Sequence, residues 1–202
     1  MFTIVLQALA WLTFITGTVA LGAWLRRHPA KRDAERASRI LHFLFWAGIV
    51  PAAVLGVFNP GLTGYDQALG LSPLPQQPVV HLFGALGLLI GVFLILVSNL
   101  ALGYLGGGAN AFWLTDRLVA GNIYGWMRNP MSLGLYLVSL GLGLLVGSNY
   151  MTLGALFGLI PAHAFYLKYF EEYELELRIG QSYVEYKQRV PFMLPRCFSH
   201  RS

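Results

Sequence analysis

Charges are so sparse along this chain that long uncharged runs dominate its pattern: Phe2 to Leu25, Ile40 to Tyr65, Gln67 to Thr115 and Asn129 to Leu167. Each is long enough to cross a bilayer, which takes roughly 20 apolar residues. The pattern predicts one span over Phe2–Leu25, a second from Ile40 to Phe58 with Pro51 as a kink, and a third over Val79–Tyr104. The run after Asn129 is about twice the length of a span, and Gly147-Ser148-Asn149-Tyr150 divides it. It reads as a short antiparallel hairpin of two helices, Met131–Val146 and Met151–Lys168. The tail from Tyr169 is charged and amphipathic, and reads as a helical segment outside the membrane. The predicted fold is all-α: a polytopic membrane protein with five transmembrane helices. Residues 1–104 carry three spans, and residues 105–202 carry the polar motifs, the hairpin and the tail.

The connections sharpen this picture. Arg26–Arg39 holds six basic and two acidic residues and reads as a loop, whereas Asn59–Pro78 has four prolines and the single charge Asp66. With five spans, all fourteen Lys and Arg fall on one side of the membrane or at its boundary. The positive-inside rule makes that side cytoplasmic, with the N-terminus outside and the C-terminus inside. Phe2–Leu25 lacks a basic leading region and a small-residue cleavage site, and reads as a retained span. Small residues four apart (Gly87 and Gly91, Gly143 and Gly147, Gly154 and Gly158) predict close helix packing.

Composition agrees. Hydrophobic residues make up 56% of the chain and charged residues 11%, against about 25% charged in soluble domains. The net charge of +5 is accounted for by the flanks of the spans, so nucleic acid is not an expected partner. The one cysteine, Cys197, leaves no internal disulfide. His42, His81 and His163 have no partner at metal-ligand spacing, so no metal site is expected.

Three polar clusters share the cytoplasmic side: Asp116-Arg117-Leu118-Val119, Tyr124 to Ser132, and Glu171-Glu172 with the tail. Asn129-Pro130 is a helix-start signal, because proline lacks the N–H that a first helical residue leaves unpaired. Arg128 and its neighbours are thereby placed at a helix N-terminus suited to a partly anionic ligand. The four acids Glu171, Glu172, Glu174 and Glu176 directly follow the predicted last span. A helix C-terminus disfavours acids, so a positive partner is expected: Arg128, Arg178, Lys168 or a cationic ligand.

The stretch Tyr124-Gly-Trp-Met-Arg128-Asn129-Pro130-Met-Ser-Leu-Gly134 resembles the Tyr-x-x-x-Arg-His/Asn-Pro-x-Tyr-x-Gly motif of the isoprenylcysteine carboxyl methyltransferase family, which includes phospholipid methyltransferase relatives. The tail resembles the family's C-terminal signature: Glu171-Glu172, then Ile179-Gly180-x-x-Tyr183-x-x-Tyr186, then Val190-Pro191-x-x-Leu194-Pro195. The likeness covers Leu105 to Pro195. Ser132 stands where the family usually has Tyr. Leu167, with Lys168 beside it, stands where eukaryotic members carry a substrate-contacting Arg.

The resemblance implies a membrane enzyme that uses S-adenosyl-L-methionine. It assigns the cofactor to Asp116, Arg117, Leu118 and Val119, to Tyr124, to Asn129, Pro130, Met131 and Ser132, and to Glu171. Arg128, Glu172 and Lys168 are the candidate catalytic side chains. A sulfonium cation favours an aromatic face such as Tyr124 or Trp126. The acceptor is expected to be apolar or lipid-tailed: a prenylcysteine-type carboxylate, or a lipid amine or thiol. A carboxylate needs no base, whereas an amine or thiol must lose a proton, with Glu172, Glu174 or Tyr136 at hand. Two other readings compete. One is an NADPH-dependent membrane sterol or enone reductase, whose tail pattern is similar. The other is a non-enzymatic scaffold whose basic loop binds anionic lipid.

Overall fold

The computed structural model describes residues 2–105, 114 and 117–194, and every regular element among them is helical. In chain order these are α1 (Phe2–Arg27), α2 (Lys31–Gly61), α3 (Gly64–Leu69), α4 (Pro78–Leu105), a 3₁₀ turn (Asn122–Gly125), α5 (Pro130–Val146), α6 (Asn149–Ile179) and α7 (Gln181–Arg189). Among the described residues, α1, α2, α4 and α6 are long and apolar enough to cross a membrane, and α5 is a shorter apolar helix. The protein is an all-helical, polytopic membrane protein.

Two connections differ from expectation. The basic segment after α1 is not a loop, because α2 begins at Lys31. Its first turns are amphipathic: Ala34, Ala37, Ser38 and Leu41 are buried at helical spacing while the basic residues point outward. Nor does the last apolar helix stop at Lys168, since α6 runs on to Ile179. The hairpin is therefore lopsided, and the acidic residues lie inside a helix instead of at its end. Gly180 (φ 80°, ψ −151°) makes the break, in a conformation open essentially only to glycine. Asn59–Pro78 is partly ordered by α3, which ends at Gly70 in the left-handed region.

Widened π-helical turns interrupt α2 at Phe45–Ile49 and α6 at Gly154–Leu159 and Leu167–Glu171. Pro51 and Pro161 follow the first two. Each proline ring would otherwise meet the carbonyl four residues back, at Ala47 or Phe157, and the wider turn makes room for it.

The expected Gly87/Gly91 stripe packs α4 onto α5. A Cβ on Gly91 would lie 2.6 Å from the Gly134 carbonyl oxygen, and one on Gly134 would lie 2.7 Å from that of Gly91. Gly84 and Gly141 repeat the contact two turns away. The backbones thus touch directly, as small residues permit. Gly143 packs on Thr152, and Gly147 (φ 74°) ends α5. A Cβ on Gly154 or Gly158 would meet nothing within 4 Å among the described residues, so neither marks a close approach of helices there.

A core of Phe14, Leu25, Leu41, Ile49, Leu167 and Phe170 joins α1, α2 and α6. At the hairpin turn, buried Asp66 accepts from the Ser148 hydroxyl (2.5 Å) and the Tyr150 N–H (2.8 Å). Ser148 in turn caps α6 by accepting from the Met151 N–H. Tyr65 stacks on Tyr150, and Gln7 bonds both hydroxyls. This network fixes one end of the bundle and leaves the other to the motif residues.

Candidate active site

Near the ends of α4 and α6, and bounded by α2 and α5, lies a cavity of about 520 Å³. Local sequence builds its walls. Asn122 opens the 3₁₀ turn at φ 56°, a left-handed conformation that asparagine tolerates, and the turn delivers Tyr124 inward. Pro130 starts α5 as expected, with Asn129 at the N-cap position. Asn129 does not cap the helix, however: its Nδ2 donates to the Phe192 carbonyl at 3.0 Å. The Arg128 N–H donates to the Pro191 carbonyl at 2.9 Å, and the Tyr186 hydroxyl donates to the Tyr124 carbonyl at 2.7 Å. The C-terminal motif is thus strapped across the central one.

Most of the expected residues meet here. Arg117, Leu118 and Val119 line the cavity, as do Tyr124, Arg128 and Asn129. Pro130, Met131 and Ser132 supply the first turn of α5, and Glu171 faces them from α6. Asp116 lies outside the described residues. Trp126 does not border the cavity and is 69% exposed, whereas Tyr124, Tyr183 and Tyr186 are among the aromatic residues that line it. Burial pushes the phenols of these three tyrosines well above their ordinary range, so they stay protonated donors at neutral pH.

The two adjacent glutamates part company. Glu171 lines the cavity, as does Tyr166, five residues back across the Leu167–Glu171 π turn. Glu172 is buried outside the lining and pairs with Arg128 Nη1 at 2.9 Å, with Lys168 and Lys187 each 3.5 Å away. Lys168 does not reach the cavity; its Nζ lies 3.9 Å over the Phe192 ring. Lys187 also bonds Glu176 (2.6 Å), which holds its ammonium above the usual lysine value. The positive partners expected for the acids are therefore Arg128, Lys168 and Lys187, together with Arg178 on Glu174.

Arg128 is itself incompletely satisfied. Its side chain is 7% exposed, and Glu172 meets Nη1 off the hydrogen-bonding direction. Neither Nε nor Nη1 has a hydrogen-bond acceptor among the described residues. A buried guanidinium with unused donors costs free energy unless an acceptor arrives. Together with Glu171 and the amide-rich start of α5, it suits a ligand bearing both a carboxylate and cationic or hydroxyl groups.

Sequence reasoning did not place Ser38 or His42 on the cavity wall, where Glu174, a base candidate, and Arg178, an expected positive partner, also lie. The first two sit on the amphipathic turns of α2, whose small-residue stripe was the available signal. His163 also lines the cavity, joined to Tyr136.

A helical membrane protein with motif residues gathered around such a cavity fits a membrane transferase. Residues 79–178 match the family model described as phospholipid methyltransferase, so this stretch of the chain is similar to that family of membrane methyltransferases. The match begins with α4 and ends at Arg178, so the Gly134–Gly91 contact lies within it and the strapping tail beyond it. No curated protein and no solved structure matches the chain.

Proposed function

We propose that the protein transfers a methyl group from S-adenosyl-L-methionine to an apolar, lipid-like acceptor at the cytoplasmic face of its membrane. The observation that carries this reading is the convergence in one cavity of Glu171, the unsatisfied donors of Arg128 and the start of α5. Arg128 suits the cofactor's carboxylate. Glu171 suits its ammonium or ribose hydroxyls, and Tyr124, Tyr183 and Tyr186 offer π faces to a sulfonium. Arg117, Leu118, Val119 and Asn129 to Ser132 complete the wall, and Glu172 and Lys168 act from behind by holding Arg128 and the tail. When bound, the cofactor supplies an electrophilic methyl group. The protein's part is alignment and exclusion of water.

The rest of the cavity supports an apolar acceptor. Phe14, Phe45, Trp46, Val50 and Leu135 line it on the side of α1, α2 and α5. The cytoplasmic assignment rests on the one-sided distribution of Lys and Arg. Titration calorimetry of the detergent-purified protein with S-adenosylhomocysteine, run beside NADPH, tests the reading. S-adenosylhomocysteine binds, and Glu171→Gln weakens it strongly. Binding of NADPH alone overturns the proposal in favour of a reductase.

A further inference from the structure

The apolar side of the cavity holds a polar pair that cofactor binding does not use. His163 on α6 is buried, borders the cavity, and has Nδ1 3.0 Å from the Tyr136 hydroxyl on α5. The Tyr136 ring meets the imidazole edge-on, with Phe45 and Tyr166 as its other ring neighbours. Tyr136 and Tyr166 are thus the titratable side chains in ring contact with His163, and no charged group is among these contacts. A polar residue within a membrane span usually has a task or a partner, and here Tyr136 occupies only one nitrogen.

Position gives the task. His163 lies eight residues before Glu171 on α6, about 12 Å deeper at 1.5 Å per residue. Tyr136 lies one turn of α5 beyond Ser132, away from the helix start that suits the cofactor. His163 therefore borders the cavity on its apolar side, away from the helix start and Glu171 that the cofactor reading uses, and Tyr136 stands behind it. A carboxylate acceptor would need no base and would have to shed its hydration among Phe14, Phe45 and Leu135.

We propose that His163, oriented by Tyr136, is the base that deprotonates the methyl acceptor, and that the acceptor is an apolar molecule bearing a thiol, phenol or amine instead of a carboxylate. This rests on the methyltransferase reading above. Nδ1–H donates to the Tyr136 oxygen, leaving the Nε2 lone pair toward the cavity. Nε2 takes the proton of the acceptor's X–H as the X lone pair forms the new bond to carbon. The carbon–sulfur bond breaks with its electron pair kept on sulfur, so the sulfonium becomes a neutral thioether. The imidazolium then returns its proton to solvent. His163 touches the reacting group and is catalytic in this scheme; Tyr136 is a positioning residue.

The test uses the full-length protein in detergent, with octanethiol, 4-octylphenol and octylamine as acceptors and octanoate as the carboxylate control. At least one of the first three is methylated. His163→Gln lowers kcat on it by about a hundredfold or more, the usual scale of general-base catalysis. S-adenosylhomocysteine affinity is unchanged in that variant. Tyr136→Phe, which keeps the ring, lowers kcat with little change in the KM for acceptor, and carries the test if His163→Gln does not fold. In ¹⁵N-histidine spectra the signals lost in His163→Gln report a protonated Nδ1 and a bare Nε2. Methylation of octanoate alone, of no acceptor by protein that binds S-adenosylhomocysteine, full activity in both variants, or the opposite tautomer each overturns the proposal. Failure to bind S-adenosylhomocysteine at all would instead sink the methyltransferase reading.

Discussion

Arg128→Gln separates a ligand-binding guanidinium from a merely structural one. In the wild type, Nε and Nη1 are buried with no hydrogen-bond acceptor among the described residues, and Glu172 is 2.9 Å from Nη1. Removing the charge does not strand Glu172, because Lys168 and Lys187 remain 3.5 Å from its two oxygens. The backbone bond from Arg128 to Pro191 is also untouched. What the variant loses is the charge-assisted contact to a ligand carboxylate, worth about 1.5–3 kcal/mol, or roughly a 10- to 150-fold weaker Kd. Titration calorimetry with S-adenosylhomocysteine reads this directly. The control is 5′-methylthioadenosine, which keeps the nucleoside and lacks the amino-acid end; it should bind wild type and variant alike. Unchanged S-adenosylhomocysteine affinity, or an equal loss with methylthioadenosine, would refute the assignment of Arg128 to the carboxylate.

The remaining predictions concern the scaffold. Gly91→Ala drives a methyl into the Gly134 carbonyl and the Val138 N–H, backbone groups that cannot swing aside. It should destabilise the protein by about 1–3 kcal/mol, seen as a lower midpoint of thermal unfolding in detergent, whereas Gly154→Ala, facing open space, should not. Ser148→Ala removes the cap of α6 and a partner of buried Asp66. The cap alone is worth about 1 kcal/mol, so the unfolding midpoint should fall. Because this network lies at the opposite end of the bundle from the motif residues, S-adenosylhomocysteine affinity should be retained, and a parallel loss of affinity would contradict the separation of the two ends.

What the sequence disclosed was set by how local each signal is. The apolar runs, the start of α5 at Pro130 and the break at Gly147 depend on neighbouring residues, and all were readable. The start of α2 was missed because Ala34, Ala37 and Ser38 form a buried stripe too small in side-chain volume to outweigh the surrounding charges. The end of α6 was missed because acidic residues were judged against a dipole that the continuing helix does not terminate there. Asp66 with Ser148, and Tyr136 with His163, join residues 82 and 27 positions apart, and such pairings exist only after the helices have packed. Trp126 lies in the motif yet off the cavity, while Tyr183 and Tyr186 line it, because type and proximity to the motif do not reveal which way a ring points.

The division of labour between Glu171 and Glu172 shows why the two motifs occur together. Adjacent residues on a helix point about 100° apart, so one carboxylate of the pair can face a cavity only if the other turns elsewhere. Glu172 turns to Arg128, which is useful because Arg128 is also held through its backbone by Pro191. The π turn over Leu167–Glu171 ends at Glu171, which lies with Tyr166, Leu167 and Glu174 on the lining. Remove the tail, and Arg128 and Asn129 lose their contacts to Pro191 and Phe192, while Tyr124 loses its bond from Tyr186. Remove the central motif, and Glu172 loses the nearest of its three cations. Each motif supplies what the other leaves unsatisfied, so the cavity wall depends on both.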